Sequence, residues 1–534
     1  MENKNTIIAL LLMMLLWVGY TFLFPAPQIT PALPSNSPVA AVMVTPSPEE
    51  PKTALVFTPP LTASLPTAQI KEIAIETDLY RAVVSTQGAR LKEFYLKKYK
   101  TKVNDESAQV NLVTSAAQGG TFALTGEGDF LTSDQAIYDA DSSGSLLHLT
   151  RTEEKSLSFS LHLPSGVTLL KTYTFNGNNY SVGVDLQIQN SSPSAKQGTV
   201  SLALLEDTTK TLTGDIVDDT SAAVSFVGSK LHIDKLSSLA KEDKNYAGEV
   251  HWSGYKNKYF IKSFGSADQN KMDVSIHKSA AFVETRIKSP VLMIPSGQIV
   301  AYKYFSYLGP LDFQILKETG HDLVKAIDLG FFAILATPLF YVLKFFYGYV
   351  GNYGWAIILL TVLIKLIFWP LTNKSYKSMK AMQTLQPEMQ KLREKHKNDR
   401  DTLNKEIMTL YKDHRVNPLG GCLPMVVQIP VFFALYQVLM NMIELRHAPF
   451  IFWLTDLSVK DPYYITPLVM GATMFIQQKL TPSQLDPIQQ KIFLIMPVVF
   501  TFLFLSFPSG LVVYWLVNNL LTIAQQLSVN RTKN

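Results

Sequence analysis

Trp355-Ala356-Ile357-Ile358-Leu359-Leu360-Thr361-Val362-Leu363-Ile364-Lys365-Leu366-Ile367-Phe368-Trp369-Pro370-Leu371 is an apolar run interrupted by one charge. As a helix rising 1.5 Å per residue, it covers about 25 Å, close to the roughly 30 Å of bilayer hydrocarbon. It is therefore read as a membrane span, with Lys365 the residue that needs explaining. Uncharged runs of similar kind follow at Gly421 to Met442, Tyr463 to Gln478, Ile492 to Pro508 and Leu511 to Gln525, and one precedes at Thr6 to Phe24. Together they predict six spans and exclude a wholly soluble protein. Charged residues are 17% of the 534, against about 25% in soluble domains.

The net charge is +5, and its location matters more than its size. Leu371 to Arg415 holds 11 Lys and Arg against 6 Asp and Glu, so this loop carries the whole excess. Basic loops stay in the cytoplasm, which places this one inside. With six spans, both termini are then cytoplasmic and the long segment after the first span lies outside. Within the loop, Met379, Met382, Gln386, Met389 and Leu392 recur at helical spacing, as do Leu403, Ile407 and Leu410, predicting a helical hairpin over 373–415. It is either a solvated cap or a docking surface for a ribosome or anionic lipid headgroups. The only cysteine is Cys422, so no intrachain disulfide supports an exported domain.

The first span ends in Phe22-Leu23-Phe24-Pro25 and not in a small-residue cleavage site, which favours an uncleaved anchor at 1–24 over a signal peptide. Eleven prolines in residues 25–66 read as an extended tether. From Ile70 to Pro310 the pattern changes to short β-type runs. Tyr180, Val182, Val184, Leu186 and Ile188 alternate with polar residues, predicting a strand with one buried face. Asn176-Gly177-Asn178-Asn179 joins it to Val167 to Phe175, as residues that accept the positive φ of a hairpin turn. A large antiparallel sandwich over 67–315 is the expected fold, with no catalytic motif, metal cluster or cofactor signature. Phe331 to Leu343, broken by Pro338 and ending at Lys344, is too short to span and reads as an interfacial lead-in helix within 316–350. The five remaining spans form a core over 351–534.

A lysine near mid-span costs about 2.5 to 3.5 kcal/mol on insertion scales, so it must be solvated or used. Snorkelling is the bland alternative, and the distance to Leu371, about 9 Å along the axis, exceeds what the stem covers well. Thr361 is one turn away on the same face. The last span carries Tyr514, Asn518, Thr522 and Gln525 on one face, and Gln428 adds an amide in the third span. Such groups either glue helices together or line a wet cavity. Their concentration near a lysine with no acidic partner in either stripe favours the cavity.

Asn417-Pro418-Leu419-Gly420-Gly421-Cys422-Leu423-Pro424, Glu444-Leu445-Arg446-His447-Ala448-Pro449-Phe450, Asp461-Pro462-Tyr463-Tyr464 and Phe507-Pro508-Ser509-Gly510-Leu511 together resemble the YidC membrane protein insertases of Gram-negative bacteria. The resemblance covers nearly the whole chain. It implies a polytopic α-helical inner-membrane protein with a periplasmic β-supersandwich, and a five-helix core with a hydrophilic groove open to cytoplasm and lipid. Nascent inner-membrane proteins would be the clients, taken alone or beside the SecYEG translocon, with no covalent chemistry. Lys365 would attract acidic tails, Thr361, Gln428, Asn518 and Thr522 would keep the groove wet, and Tyr514 with Trp515 would contact the passing segment. The family usually has arginine where this chain has Lys365, which keeps the charge and loses bidentate hydrogen bonding. A secondary transporter using Lys365 as an anion site is the alternative, but no repeated pair of interrupted helices is present. An intramembrane enzyme would need a nucleophile and base that the spans lack.

The topology is open to a direct check. An alkaline phosphatase fusion near Val200 should be active and one near Asn398 inactive, and the reverse pair would overturn the assignment.

Overall fold

The computed structural model describes residues 70–531, except 104–105, 116–117, 143, 210–220, 269–270, 397–398, 415, 417–422 and 482–486. The predicted anchor and tether lie outside the described residues, as does most of the motif at 417–424. Two compact units are present, one containing residues 380–418 and the other the β-region with the remaining helices.

The β-region is built from two sheets. A five-stranded sheet has the order Gln109–Asn111, Arg90–Lys100, Tyr80–Ser85, Glu72–Glu76, Leu146–His148. The other has fourteen strands, with Lys196–Asp207, Lys244–Lys256 and Ile299–Pro310 among its long members. The predicted hairpin is there, Val167–Asn176 against Ser181–Asn190, in the register Val182 to Phe175 through Asn190 to Val167. Tyr180, Val182, Val184, Leu186 and Ile188 are buried, as their alternation requires.

Two details differ from the sequence reading. The hairpin turn does not use positive φ at its asparagines. Instead the side chains of Asn176 and Asn179 accept from the N–H groups of Asn178 and Ser181 at 2.8 and 2.9 Å, the local bonds that make asparagine a turn former. Gly177 is required by space, since a Cβ there would lie 1.9 Å from the Thr150 carbonyl oxygen. The sheets are also not wholly antiparallel, because Leu146–His148 pairs in parallel with Glu72–Glu76. A three-residue strand carries too little pattern for sequence to orient it.

Lys171 occupies a core-facing position between buried Leu169 and Tyr173. Its ammonium donates to the carbonyls of Ala89 at 2.8 Å and Phe122 at 2.5 Å, and lies 5.0 Å from the Tyr173 ring. Burial, with Arg90 nearby, pushes the amine well below its ordinary range.

Besides the four-residue helix Leu236–Leu239 within the β-region, the α-helices among the described residues are α1 (Phe313–Thr319), α2 (Ala333–Val350), α3 (Tyr353–Thr384), α4 (Gln386–Lys395), α5 (Arg400–Asp413), α6 (Leu423–Asn441), α7 (Ile465–Leu480), α8 (Pro487–Phe504) and α9 (Ser509–Arg531). Among the described residues, α2 and α3 are long and apolar enough to cross a membrane by length and composition, while Val426–Asn441 and Leu494–Phe504 are shorter apolar stretches. The lead-in helix is longer than expected. It passes Pro338 and Lys344, whose charge meets Glu444 at 2.9 Å, and stops at Gly351, where φ is +63°. Asn352 then caps α3 by accepting from the Trp355 N–H at 3.2 Å. The predicted hairpin also begins later than 373, because no breaker follows Pro370 and α3 continues to Thr384.

A lysine amine lowered by folding costs stability while the unfolded chain binds the proton more tightly. That cost fades as pH rises from the lowered value towards about 10.4. Lys171→Met should therefore flatten the rise in stability between pH 7 and 9, read as the difference in unfolding midpoint from the parent protein. Identical pH slopes for the two proteins would show that Lys171 stays charged.

Candidate functional site

Lys365, on α3, is buried although its neighbours Leu366 and Ile367 on the same helix are exposed. Its Nζ donates to the Thr522 hydroxyl of α9 at 2.7 Å, and among the described residues no carboxylate pairs with it. Thr522 in turn donates to the Asn518 carbonyl at 2.6 Å. The Asn518 side-chain oxygen accepts from Gln428 of α6 at 3.2 Å. Three helices thus meet through one chain of polar contacts, Lys365 to Thr522 to Asn518 to Gln428. Gln525 extends it one turn further, its amide lying 3.3 Å from Asn373 Oδ1 and 3.4 Å from the Trp369 carbonyl.

The other sequence-predicted residues are placed differently. Thr361 is 1% exposed and donates to its own helix at the Ile357 carbonyl, 2.7 Å away, so its hydroxyl is internally satisfied. Tyr514 is also buried. Trp515 is half-buried in an aromatic group with Phe432, Phe500 and Phe504, at centroid distances of 4.8, 6.1 and 5.1 Å. Gln428 and Asn518 are half-buried and mark the open part of the seam.

A second polar seam escaped the sequence reading. Asn519 donates to Thr473 of α7 at 3.2 Å, and Gln526 to Thr481 at 2.8 Å. The signal was available in the doublets Asn518-Asn519 and Gln525-Gln526, seven residues apart. On a helix, adjacent positions are about 100° apart, so Asn518 meets α6 and Gln525 meets α3, while Asn519 and Gln526 both turn towards α7. Gln477, Gln525 and Gln526 each keep a buried amide oxygen that accepts from no group among the described residues. Buried acceptors of this kind call for water or another donor.

The loop between α6 and α7 fixes the ends of these helices. The Asp461 carboxylate accepts from Trp453 Nε1, Tyr463 N, Thr466 N and Thr466 Oγ1 at 2.7 to 3.0 Å. Burial pushes that carboxyl up, but the Thr466, Tyr463 and Trp453 donors outweigh it and hold it below the ordinary range. Ser509 donates from its N–H to Val459 and from its hydroxyl to Asp456, seating the start of α9.

The hairpin is held by its own contacts. Asp399 caps α5 by accepting from Thr402 N at 3.1 Å, and Tyr411 donates to Met389 Sδ at 3.0 Å. Met389 and Leu403 are buried, while Lys391, Lys395, Lys405 and Lys412 are exposed.

Comparison with known proteins matches residues 72–342 to the YidC periplasmic domain and residues 345–534 to the 60Kd inner membrane protein family. A membrane protein insertase YidC of Geotalea daltonii is 43% identical over 99% of both chains. That of Citrifermentans bemidjiense is 45% identical, also over 99% of both. A crystal structure of an active YidC insertase with its first transmembrane domain resolved covers 87% of this chain and 93% of its own, at 20% identity and a TM-score of 0.38.

Exposure separates Asn518, in the seam, from Thr361, packed beside it. In a Cys422→Ser background, Asn518→Cys should react with a small water-soluble maleimide, whereas Thr361→Cys should react much more slowly, because its position is packed. Equal protection of both would mean that the seam is closed.

Proposed function

Because the chain belongs to the YidC family of membrane protein insertases, with a mostly β-sheet periplasmic domain, we propose that it inserts hydrophobic segments of nascent proteins into the bacterial inner membrane by way of the Lys365–Thr522–Asn518–Gln428 seam. The relatives are named as insertases across their full length, which gives no support to the transporter alternative.

Insertion is expensive at one point, the passage of a client's polar tail through hydrocarbon. A groove of amides, hydroxyls and water lowers that cost, while the client's apolar segment gains by partitioning sideways into lipid. The observation that carries this reading is Lys365, buried at mid-helix with a single hydroxyl partner among the described residues. An ammonium has three donors, so the other two need water or an incoming acceptor. The positive charge attracts acidic tails, and the membrane potential assists their outward movement. Thr361 and Tyr514 shape the wall of the groove, and Trp515 with its aromatic neighbours faces the apolar part of the client.

The exposed lysines of the hairpin suit an anionic partner, either a ribosome or lipid headgroups. Six spans with both termini in the cytoplasm, and action beside the SecYEG translocon as well as alone, complete the proposal.

The test separates charge from packing. In a depletion strain, Lys365→Arg should complement, while Lys365→Ala should impair clients with acidic translocated tails more than clients with neutral tails. Equal loss for both client types would remove attraction from the mechanism, and full activity with every client would leave only a snorkelling lysine.

A further inference from the structure

The loop that joins α6 to α7 lies on the side of the β-region, since Lys258 donates to the Ser458 carbonyl at 3.4 Å and Arg446 to that of Lys100 at 2.7 Å. The β-region matches a periplasmic domain, so this end of the helical core is the periplasmic one. Within the loop, Phe450 N donates to the Leu454 carbonyl at 2.8 Å and Leu454 N to that of Ile451 at 3.0 Å. The tight turn closed by these bonds holds Phe452 at its apex. Phe452 is 86% exposed, and no large apolar side chain among the described residues is more so.

A single exposed apolar residue calls for no explanation, but this one is held out against its backbone preference. At Phe452 φ is +51°, and at Tyr464 it is +58°. Bulky L-residues rarely enter that region, and they stay there only when their surroundings impose it. The buried Asp461 carboxylate supplies the constraint, because it accepts from Trp453 Nε1 at 3.0 Å and from Tyr463 N at 2.9 Å and so ties the two parts of the loop together. Trp453 in turn stacks on Phe452, with ring centroids 5.9 Å apart and planes 21° apart. A backbone strained to present a phenylalanine to water would lose stability twice, once in the dihedral and once in the bare ring, unless an apolar phase covers it.

The surroundings indicate which phase. Ile451, Tyr463, Tyr464 and Ile465 are exposed as well, and Ile465 opens an exposed apolar stripe on α7 that runs through Leu468 and Val469 to Phe475 and Ile476. The opposite face of α7 is buried against the other helices at Met470 and Gly471. In a chain of an inner-membrane family, such a stripe meets acyl chains. At its periplasmic end, Lys460 Nζ donates to the Tyr464 hydroxyl at 3.3 Å and lies 5.7 Å from the ring. An aromatic ring on the apolar stripe with its hydroxyl at a cation is the arrangement that suits the boundary between hydrocarbon and headgroups.

We propose that the Ile451–Phe452 turn and the Tyr463–Tyr464 pair form a rigid aromatic cap that enters the periplasmic leaflet of the inner membrane, with acyl chains around Phe452 and headgroup phosphates at Lys460. The cap sets the depth of the periplasmic ends of α6 and α7 in the bilayer. It uses none of the groove residues.

The experiment uses the full chain in vesicles of phosphatidylethanolamine and phosphatidylglycerol, in a Cys422→Ser background. A nitrobenzoxadiazole maleimide is placed on Phe452→Cys or, separately, on Tyr463→Cys. Tyr463 gives only its backbone N–H to Asp461, so the second variant keeps the clamp intact and preserves the test if the first fails to fold. Each label should emit to the blue of the label free in buffer. Each should also lose more emission to a phospholipid spin-labelled near its headgroup than to aqueous iodide or to a phospholipid spin-labelled at its chain end. With the label at Tyr463, Phe452→Asp should lower the loss to the headgroup-proximal spin label severalfold, and Phe452→Leu should preserve it. Greater loss to iodide would put the cap in water, and greater loss to the chain-end label would put it in the bilayer interior. Protection from every quencher would mean that protein, such as a second copy of the chain, covers it. Any of these three results overturns the proposal, as does an unchanged Tyr463 signal in Phe452→Asp.

Discussion

A charge inside a bilayer-length apolar helix must be solvated from within the protein, and the arrangement of the helical core follows from that demand. Lys365 costs about 2.5 to 3.5 kcal/mol at mid-span if nothing compensates. One threonine hydroxyl offsets part of this. The rest requires a polar surrounding, and α9 carries amides and a hydroxyl along the face that meets α3 and α6. A helix with so polar a face gains little from lipid and must be fixed by its neighbours. The Asn519–Thr473 and Gln526–Thr481 bonds to α7 supply that fixation, and the Asp461 and Ser509 networks set where α7 and α9 begin.

Two of the three lysines buried among the described residues are of opposite kinds. Lys171 sits in the β-core, where two carbonyls and a tyrosine ring satisfy it, and its environment favours the neutral amine. It reads as a structural group that ties the Ala89 and Phe122 segments to the strand beneath them. Among the described residues, Lys365 has one hydrogen bond, to a hydroxyl, and no carbonyl partner. Under-satisfaction, more than burial, is what separates Lys365 from a core group whose hydrogen bonds are complete.

Sequence alone made the hairpin strands, the apolar helices and the Lys365 and α9 stripes legible, because each depends on a periodicity of two or 3.6 residues. Elements set by tertiary contact were not legible. The parallel strand Leu146–His148 is too short to carry a pattern, and α2 runs past Lys344 because Glu444, a hundred residues away, neutralises it. The site followed the same division. One face of α9 was read from spacing, while its second face was missed because the doublets were treated as single positions. Whether Thr361 faces water or its own backbone depends on the packing around α3, which no spacing reports.

The lateral release proposed above needs an apolar border beside the polar seam, and exposed apolar residues of α6 and α8 form one. Val426, Val427, Ile429 and Phe433 on α6, with Ile495, Val498, Val499 and Phe502 on α8, are exposed. Trp515 lies between these helices, against Phe432 and Phe504, one residue after Tyr514 and three before Asn518 on α9. An amphipathic indole at such a boundary gives an apolar segment a surface to slide along, and its N–H can meet a polar atom at the edge. The change from amide-lined to aromatic surface takes place within one turn of a single helix. On the proposed insertase reading, a client would be sorted residue by residue over a few ångströms, with its tail held on the Lys365 side and its hydrophobic part turned outward to lipid.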